Sequence, residues 1–97
     1  MSEQQRITVR DNPQRHRFEA VDESGVVAGF AAYRRSGDAV VLTHTEVDDA
    51  FEGHGVGSRL AQGALDVLRE QGVRVVPSCP FISAYIEDHQ EYADLVR

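Results

Sequence analysis

The chain has 97 residues, 41% of them hydrophobic and 27% charged, and a formal net charge of −6. That describes one small soluble domain over residues 1–97, with a modest core and no room for a second domain. The acidic balance disfavours nucleic acid, whose phosphates draw affinity from Lys and Arg, no apolar run is long enough for a membrane, and a single cysteine excludes an internal disulfide.

The opening segment Met1-Ser2-Glu3-Gln4-Gln5 has neither the basic nor the apolar region of a secretory leader, so a cytoplasmic location is expected. Ile7 to Arg10 reads as a short strand, broken by Asn12-Pro13. His16 to Asp22 alternates, with Phe18 and Ala20 on one side and Arg17 and Glu19 on the other. Turns at Asp22-Glu23-Ser24-Gly25 and Ser36-Gly37-Asp38 bracket an apolar strand from Val26 to Arg34. Ala39 to Val47 follows as a strand rich in β-branched residues.

The period then changes. Val56, Leu60, Ala64 and Leu68 fall four apart, with Ala61 and Leu65 beside them, and this predicts an amphipathic helix from Val56 to Gln71. Gly72 is placed to end it, and Gly63 within it implies close packing against the sheet. Val73 to Val76 reads as a short buried strand. Pro80 to Asp88 reads as a second helix with proline in its first turn, and Glu91 to Val96 as a further turn or two. Four strands, helix, strand, helix make an α/β (α+β) fold. Its mixed sheet of about five strands has an antiparallel first part, and a crossover helix makes the last two strands parallel.

Between the fourth strand and the first helix lies Glu52-Gly53-His54-Gly55-Val56-Gly57-Ser58-Arg59. Glycines in alternate positions leave backbone N–H groups uncovered, and a helix N-terminus adds its positive dipole end. A phosphate-bearing ligand is the natural guest, though such glycines also occur as plain loop chemistry. The dinucleotide-binding GxGxxG pattern is not met, because Leu60 stands where the third glycine is due, and no Gly-Lys-Ser/Thr is present.

Glu52-x-x-Gly55-x-Gly57 resembles the Q/R-x-x-G-x-G/A pyrophosphate loop of the GNAT superfamily of acetyl-CoA-dependent N-acetyltransferases. Further residues resemble one compact, YidJ-like branch of very short, N-acetyltransferase domain-containing proteins. They are Phe18-Glu19, Ala28-Gly29, Tyr33, His44-Thr45-x-Val47, Ala64-Leu65, Val76-Pro77-x-Cys79-Pro80-Phe81, Tyr85-Ile86, His89, Tyr92 and Leu95-Val96. The resemblance implies a truncated GNAT fold, with acetyl-CoA between splayed fourth and fifth strands. The pantetheine arm would meet the backbone near Glu46 and Val47, and the pyrophosphate the N–H groups of Gly53, His54, Gly55, Val56, Gly57 and Ser58. Acetyl would pass to an amine, in a monomer or weak homodimer. Two departures from the pattern are Glu52 at the first motif position and a chain that stops before the last two strands of the full fold. They favour the alternative of a non-catalytic CoA-binding regulatory or interaction module.

The catalytic candidates are His44, Cys79 and Glu46. His44 falls in phase with Val40, Leu42 and Glu46 along the strand, and an imidazole can take a proton from an ammonium near neutral pH. Its other reading is a hydrogen-bonded histidine on a half-buried sheet face. Glu46 is a rival base or a solvated carboxylate. Cys79 precedes Pro80 at a helix start, a position that favours a thiolate nucleophile, although a small buried hydrophobe fits as well. Tyr85 lies roughly where many GNAT enzymes carry a tyrosine that reprotonates CoA, but at unusual spacing. His16, His54, His89 and the single cysteine show no metal-ligand spacing.

Overall fold

A computed structural model describes residues 6–97. The expectation of no leader segment concerns residues 1–5 and lies outside them. Five strands form one sheet in sequence order: β1 (Thr8–Asn12), β2 (Arg17–Val21), β3 (Val27–Ser36), β4 (Ala39–Val47) and β5 (Arg74–Pro77). Neighbours from β1 to β4 pair antiparallel, and β4 pairs parallel with β5. The crossover between them is α1 (Val56–Gln71); α2 (Pro80–Asp88) and a 3-10 turn (Gln90–Leu95) complete the chain.

The first strand begins and ends later than its apolar residues suggest. Arg10, Asp11 and Asn12 continue the ladder opposite Glu19, Phe18 and Arg17, and the Asn12 side chain then caps a 3-10 turn at Pro13–Arg15. Cross-strand pairing, not local hydrophobicity, sets that boundary.

Both helices lie on one face of the sheet. Leu60, Ala64, Leu65 and Leu68 of α1 and Ile82 and Ile86 of α2 share one buried cluster with Phe18, Ala31, Tyr33, Val40, Leu42 and Val75. Side chains tie the last turn to α1. The Tyr92 hydroxyl donates to Asp66 at 2.6 Å, and Arg69 donates to both carboxylate oxygens of Asp94. Burial first, then the Asp66 carboxylate, push the Tyr92 hydroxyl pKa up. Gly63 lets α1 touch the edge strand: a Cβ there would sit 2.5 Å from Val9 Cβ.

Arg10, Arg17, Glu19, Phe30, His44 and Glu46 occupy the opposite, helix-free face. Glu19 falls on the polar side, as the alternation of β2 predicts, yet is only 2% exposed. Its carboxylate accepts from Arg10 at 3.1 Å, Asn12 at 3.1 Å and Arg17 at 2.9 Å. Burial raises its pKa, and the bonds from Arg17, Asn12 and Arg10 outweigh that, so the net shift is downward.

Candidate functional site

The site begins with an irregularity in β4. Ala32 pairs with His44 and Tyr33 with Leu42, so Thr43 is an extra residue, a β-bulge. β5 follows β4 only from Ala39 to Leu42, where its partner is Pro77. Proline offers no N–H to continue the ladder. Beyond Leu42 the two strands part, and their last link is the Cys79 N–H donating to Leu42 O at 2.9 Å. β4 continues to Val47 with β3 on one side only. The Asp48 N–H donates to Ala28 O on β3, so by alternation the Val47 backbone groups point the other way, into the gap.

The bulge corrects one expectation. Val40 and Leu42 face the helices, but His44 and Glu46 do not share their phase. An extra residue flips every later side chain, so Thr45 and Val47 take the helix side and His44 and Glu46 the open face.

After a 3-10 turn at Asp49–Phe51, the chain reaches the glycine segment. Gly53 and Gly55 adopt φ of +84° and +73°, a region costly for other residues, and space beside both is open. Gly55 is the N-cap of α1 and supplies no side-chain cap. The first-turn N–H groups of Val56, Gly57 and Ser58 have no acceptor within the helix and point past its end. They open on a shallow cleft of about 280 Å³ lined by Val47, Glu52, Gly53, Gly55 to Ser58, Phe51 and Phe81. Among the expected cofactor contacts, Glu46 and His54 do not line it, and His54 is exposed. Phe81 forms one wall: its ring lies over Gly57, where a Cβ would approach Cζ to 2.9 Å, and it is 43% exposed. Uncapped backbone donors, a dipole end and open space suit an anionic group such as a phosphate.

The catalytic candidates separate into two groups. His44 Nε2 lies 2.8 Å from Glu46 Oε2, so the two rivals are partners, both more than half exposed. The His44 ring meets Phe30 edge-on at 6.2 Å, and the Arg17 guanidinium lies 4.6 Å over the other ring's centroid. Cys79 is the N-cap of α2, as its place before Pro80 predicts, but it is buried. Its Sγ lies 3.4 Å from Thr45 Oγ1 on the helix side. Tyr85 stacks on His89 at 3.9 Å and packs beside Tyr92, a position in the helix–turn junction. Burial first, then Glu91 and Asp66, raise its pKa.

Three residues of this region escape the linear reading. Thr45 faces Cys79, Phe30 supports His44, and Phe81 walls the cleft. Thr45 and Phe81 belong to the segments that carry the resemblance, but neither is singled out for a role, and Phe30 carries no signal in the sequence.

A five-stranded mixed sheet whose fourth and fifth strands part beside a glycine-rich helix start is the frame of an acyltransferase-type fold. The chain belongs to the GCN5-related N-acetyl-transferase family, which matches residues 17–95. Protein NATD1 from mouse is 31% identical over 84 residues, covering 86% of this chain and 76% of that protein. The Xenopus tropicalis NATD1 is 38% identical over 50 residues, and human NATD1 36% over 58, or 52% and 59% of this chain. The chain spans about half the length of these last two relatives, 46% and 51%. The NMR solution structure of a GCN5-like protein from Staphylococcus aureus superposes with a TM-score of 0.68 at 24% identity, covering 93% of this chain and 87% of that one. It shares the fold.

Proposed function

We propose that this protein binds acetyl-CoA and transfers its acetyl group to an amine in the cytoplasm. The observation that carries the reading is the uncapped start of α1, opening on a cleft that reaches β4 at Val47, where β4 and β5 have parted. Backbone N–H groups of Val56, Gly57 and Ser58 suit the pyrophosphate, and the outward backbone of Val47 suits the pantetheine arm. Bound acetyl-CoA supplies an activated thioester carbonyl. An attacking amine must shed a proton as its nitrogen bonds that carbonyl carbon and the C–S bond breaks, releasing the CoA thiolate. In this reading His44 takes the proton. With Nε2–H directed at Glu46, the lone pair lies on Nδ1.

Calorimetric titration with acetyl-CoA tests the binding step. Ser58 is exposed in the first turn of α1, so Ser58→Glu leaves the fold intact and puts a negative charge at the cleft. Affinity should fall at least about tenfold. Equal affinity in wild type and variant refutes the assignment.

One observation favours a second reading, a non-catalytic CoA-binding module. Glu52 lines the cleft, and a carboxylate there repels a diphosphate. Tight CoA binding with no acetylation of any amine would establish it.

A further inference from the structure

We infer that the end of the sheet remote from the glycine cleft carries a second ligand site, one that takes a small organic phosphate. The inference stands apart from the acetyltransferase reading and uses none of its residues.

Strands of unequal length make the site. β2 pairs with β3 only as far as Arg17 opposite Ala32, while β3 runs on to Ser36 with β4 beside it. The last link on the β2 side is the Tyr33 N–H donating to His16 O at 2.9 Å. Backbone groups alternate in direction along a strand, so the Arg35 N–H is directed to that same side, where β2 has ended. The space there is a cavity of about 400 Å³ lined by Pro13, His16, Tyr33, Arg34 and Arg35. Gly29 is the β3 residue opposite Val47 of the cleft, and Arg35 lies about 20 Å further along at about 3.3 Å per residue.

Charge defines the guest. Residues 12–18 and 24–37 hold four arginines and no Asp or Glu, in a chain whose net charge is −6. Of these arginines, Arg17 is engaged by Glu19 at 2.9 Å. Arg34 and Arg35 are exposed, and among the described residues neither forms an ion pair. The Arg35 guanidinium lies 5.9 Å over the Tyr33 ring. Two carboxylates border this end of the sheet, and both have partners. Asp11 accepts from the Tyr33 hydroxyl at 2.7 Å, and Asp38 stands 4.0 Å from Arg97. Two guanidiniums and a backbone N–H on one cavity suit an anion with several oxygens. A phosphate dianion gains most, because a guanidinium can donate two parallel bonds to it.

His16 supplies another wall. Among the described residues it is the one non-glycine with a positive φ, +55°, a conformation costly for most side chains and found at ligand clamps. That turn leads the chain from the 3-10 turn into β2 and sets the imidazole edge-on to Tyr33 at 6.5 Å. Pro13 and the Tyr33 ring add apolar surface beside the charge. At roughly 30 Å³ per water-sized group, the cavity holds a phosphate and several further atoms, so an ester fills it better than the free ion.

The test is a titration of the isotope-labelled full chain followed by amide NMR at constant ionic strength. The probes are phenyl phosphate, inorganic phosphate and benzoate. The inference expects phenyl phosphate to shift the amides of residues 14–17 and 33–36 saturably, with benzoate at least about tenfold weaker. Inorganic phosphate should act on the same amides about fivefold more weakly; equal affinity overturns the assignment to an ester. Arg34→Gln and Arg35→Gln change exposed side chains, and each should weaken phenyl phosphate about tenfold while acetyl-CoA affinity stays unchanged. If either variant does not fold, the probe ranking and the place of the shifts in wild type decide. Shifts confined to residues 53–58, equal affinity in wild type and both variants, or benzoate binding as well as the ester overturns the inference. Failure of acetyl-CoA to bind the wild type would strike the cofactor reading and leave this site standing.

Discussion

Replacing Gly63 by alanine sets two known effects against each other. Alanine in a helix interior gains about 1 kcal/mol over glycine. Here the new methyl would lie 2.5 Å from Val9 Cβ, 2.6 Å from Cγ2 and 2.9 Å from Cγ1. Carbons in contact sit about 3.5–4.0 Å apart, so α1 and β1 must separate by about 1 Å. Forcing a methyl into a packed contact costs about 1–3 kcal/mol, and among the described residues β1 pairs with β2 alone, which lets it give and holds the cost near the middle of that range. The net is a loss of about 1 kcal/mol, or about 4–8 °C in Tm for a domain of this size. Val9→Gly removes all three carbons in the clash. The double variant should therefore recover at least about 1 kcal/mol relative to the sum of the single losses. Urea unfolding of the four proteins measures this directly. Losses that add to within about 0.5 kcal/mol would mean that the helix does not press on Val9, and the packing argument fails.

Glu19→Gln should lower stability by about 1–2 kcal/mol at neutral pH, because it turns charge-assisted bonds from Arg10 and Arg17 into bonds to a neutral amide while both guanidiniums keep access to water. Since the folded pKa of Glu19 lies below the unfolded value, its contribution is present above about pH 4.5 and lost as pH falls through the folded pKa; Glu19→Gln should flatten the acid limb of a stability–pH curve. Tyr33 works at the other end: burial, then its 2.7 Å bond to Asp11, push its hydroxyl up from 10.0 to about 12. That stability is complete below pH 10 and disappears as pH rises through about 12, and Tyr33→Phe should remove the slope in that window. Glu52→Gln should tighten acetyl-CoA by up to about fivefold at low salt and less at high salt, since Glu52 is exposed; no change by calorimetry at low salt means the carboxylate faces water.

Elements set by local chemistry were legible in the sequence. The four-residue spacing of Val56, Leu60, Ala64 and Leu68 marks α1 to the residue, Pro80 marks the start of α2, and Gly63 announces its close contact. What distant partners decide was not legible. Thr43, His44 and Thr45 have the same strand propensities whether or not Thr43 bulges. The register that puts it out of line is fixed by Ala32 and Tyr33 on the neighbouring strand. That single residue determines which face His44 presents. Glu19 is similar: alternation gives its side of the strand, but Arg10 and Asn12, brought from β1, close over it. The glycine segment was readable as a cluster of uncovered backbone donors because its chemistry is in the backbone, whereas Phe81 becomes a wall only when α2 docks beside α1.

The same geometry bears on whether acetyl passes through Cys79. A covalent route needs the thiol to reach the thioester and a base to deprotonate it. Cys79 is 4% exposed, its Sγ lies against Thr45 Oγ1, and its backbone N–H is fixed to Leu42. The bulge puts His44 and Glu46 on the far face of β4 from that sulfur. The His44–Glu46 pair instead lies on the open face, where Glu46 lines a pocket of about 130 Å³ with Phe30 and Val47. In the proposed reaction an acceptor on that face would attack the thioester directly, and a second thioester on Cys79 would gain little energy over the first. Direct transfer is therefore expected. Cys79→Ala should keep kcat within about fivefold of wild type, and His44→Ala should lower it about 100-fold or more. Intact-protein mass spectrometry after incubation with acetyl-CoA and no amine should show no stoichiometric adduct. An acetyl adduct that is absent from Cys79→Ala, and discharged by added amine at the rate of turnover, would refute direct transfer and make the buried thiol the first acceptor.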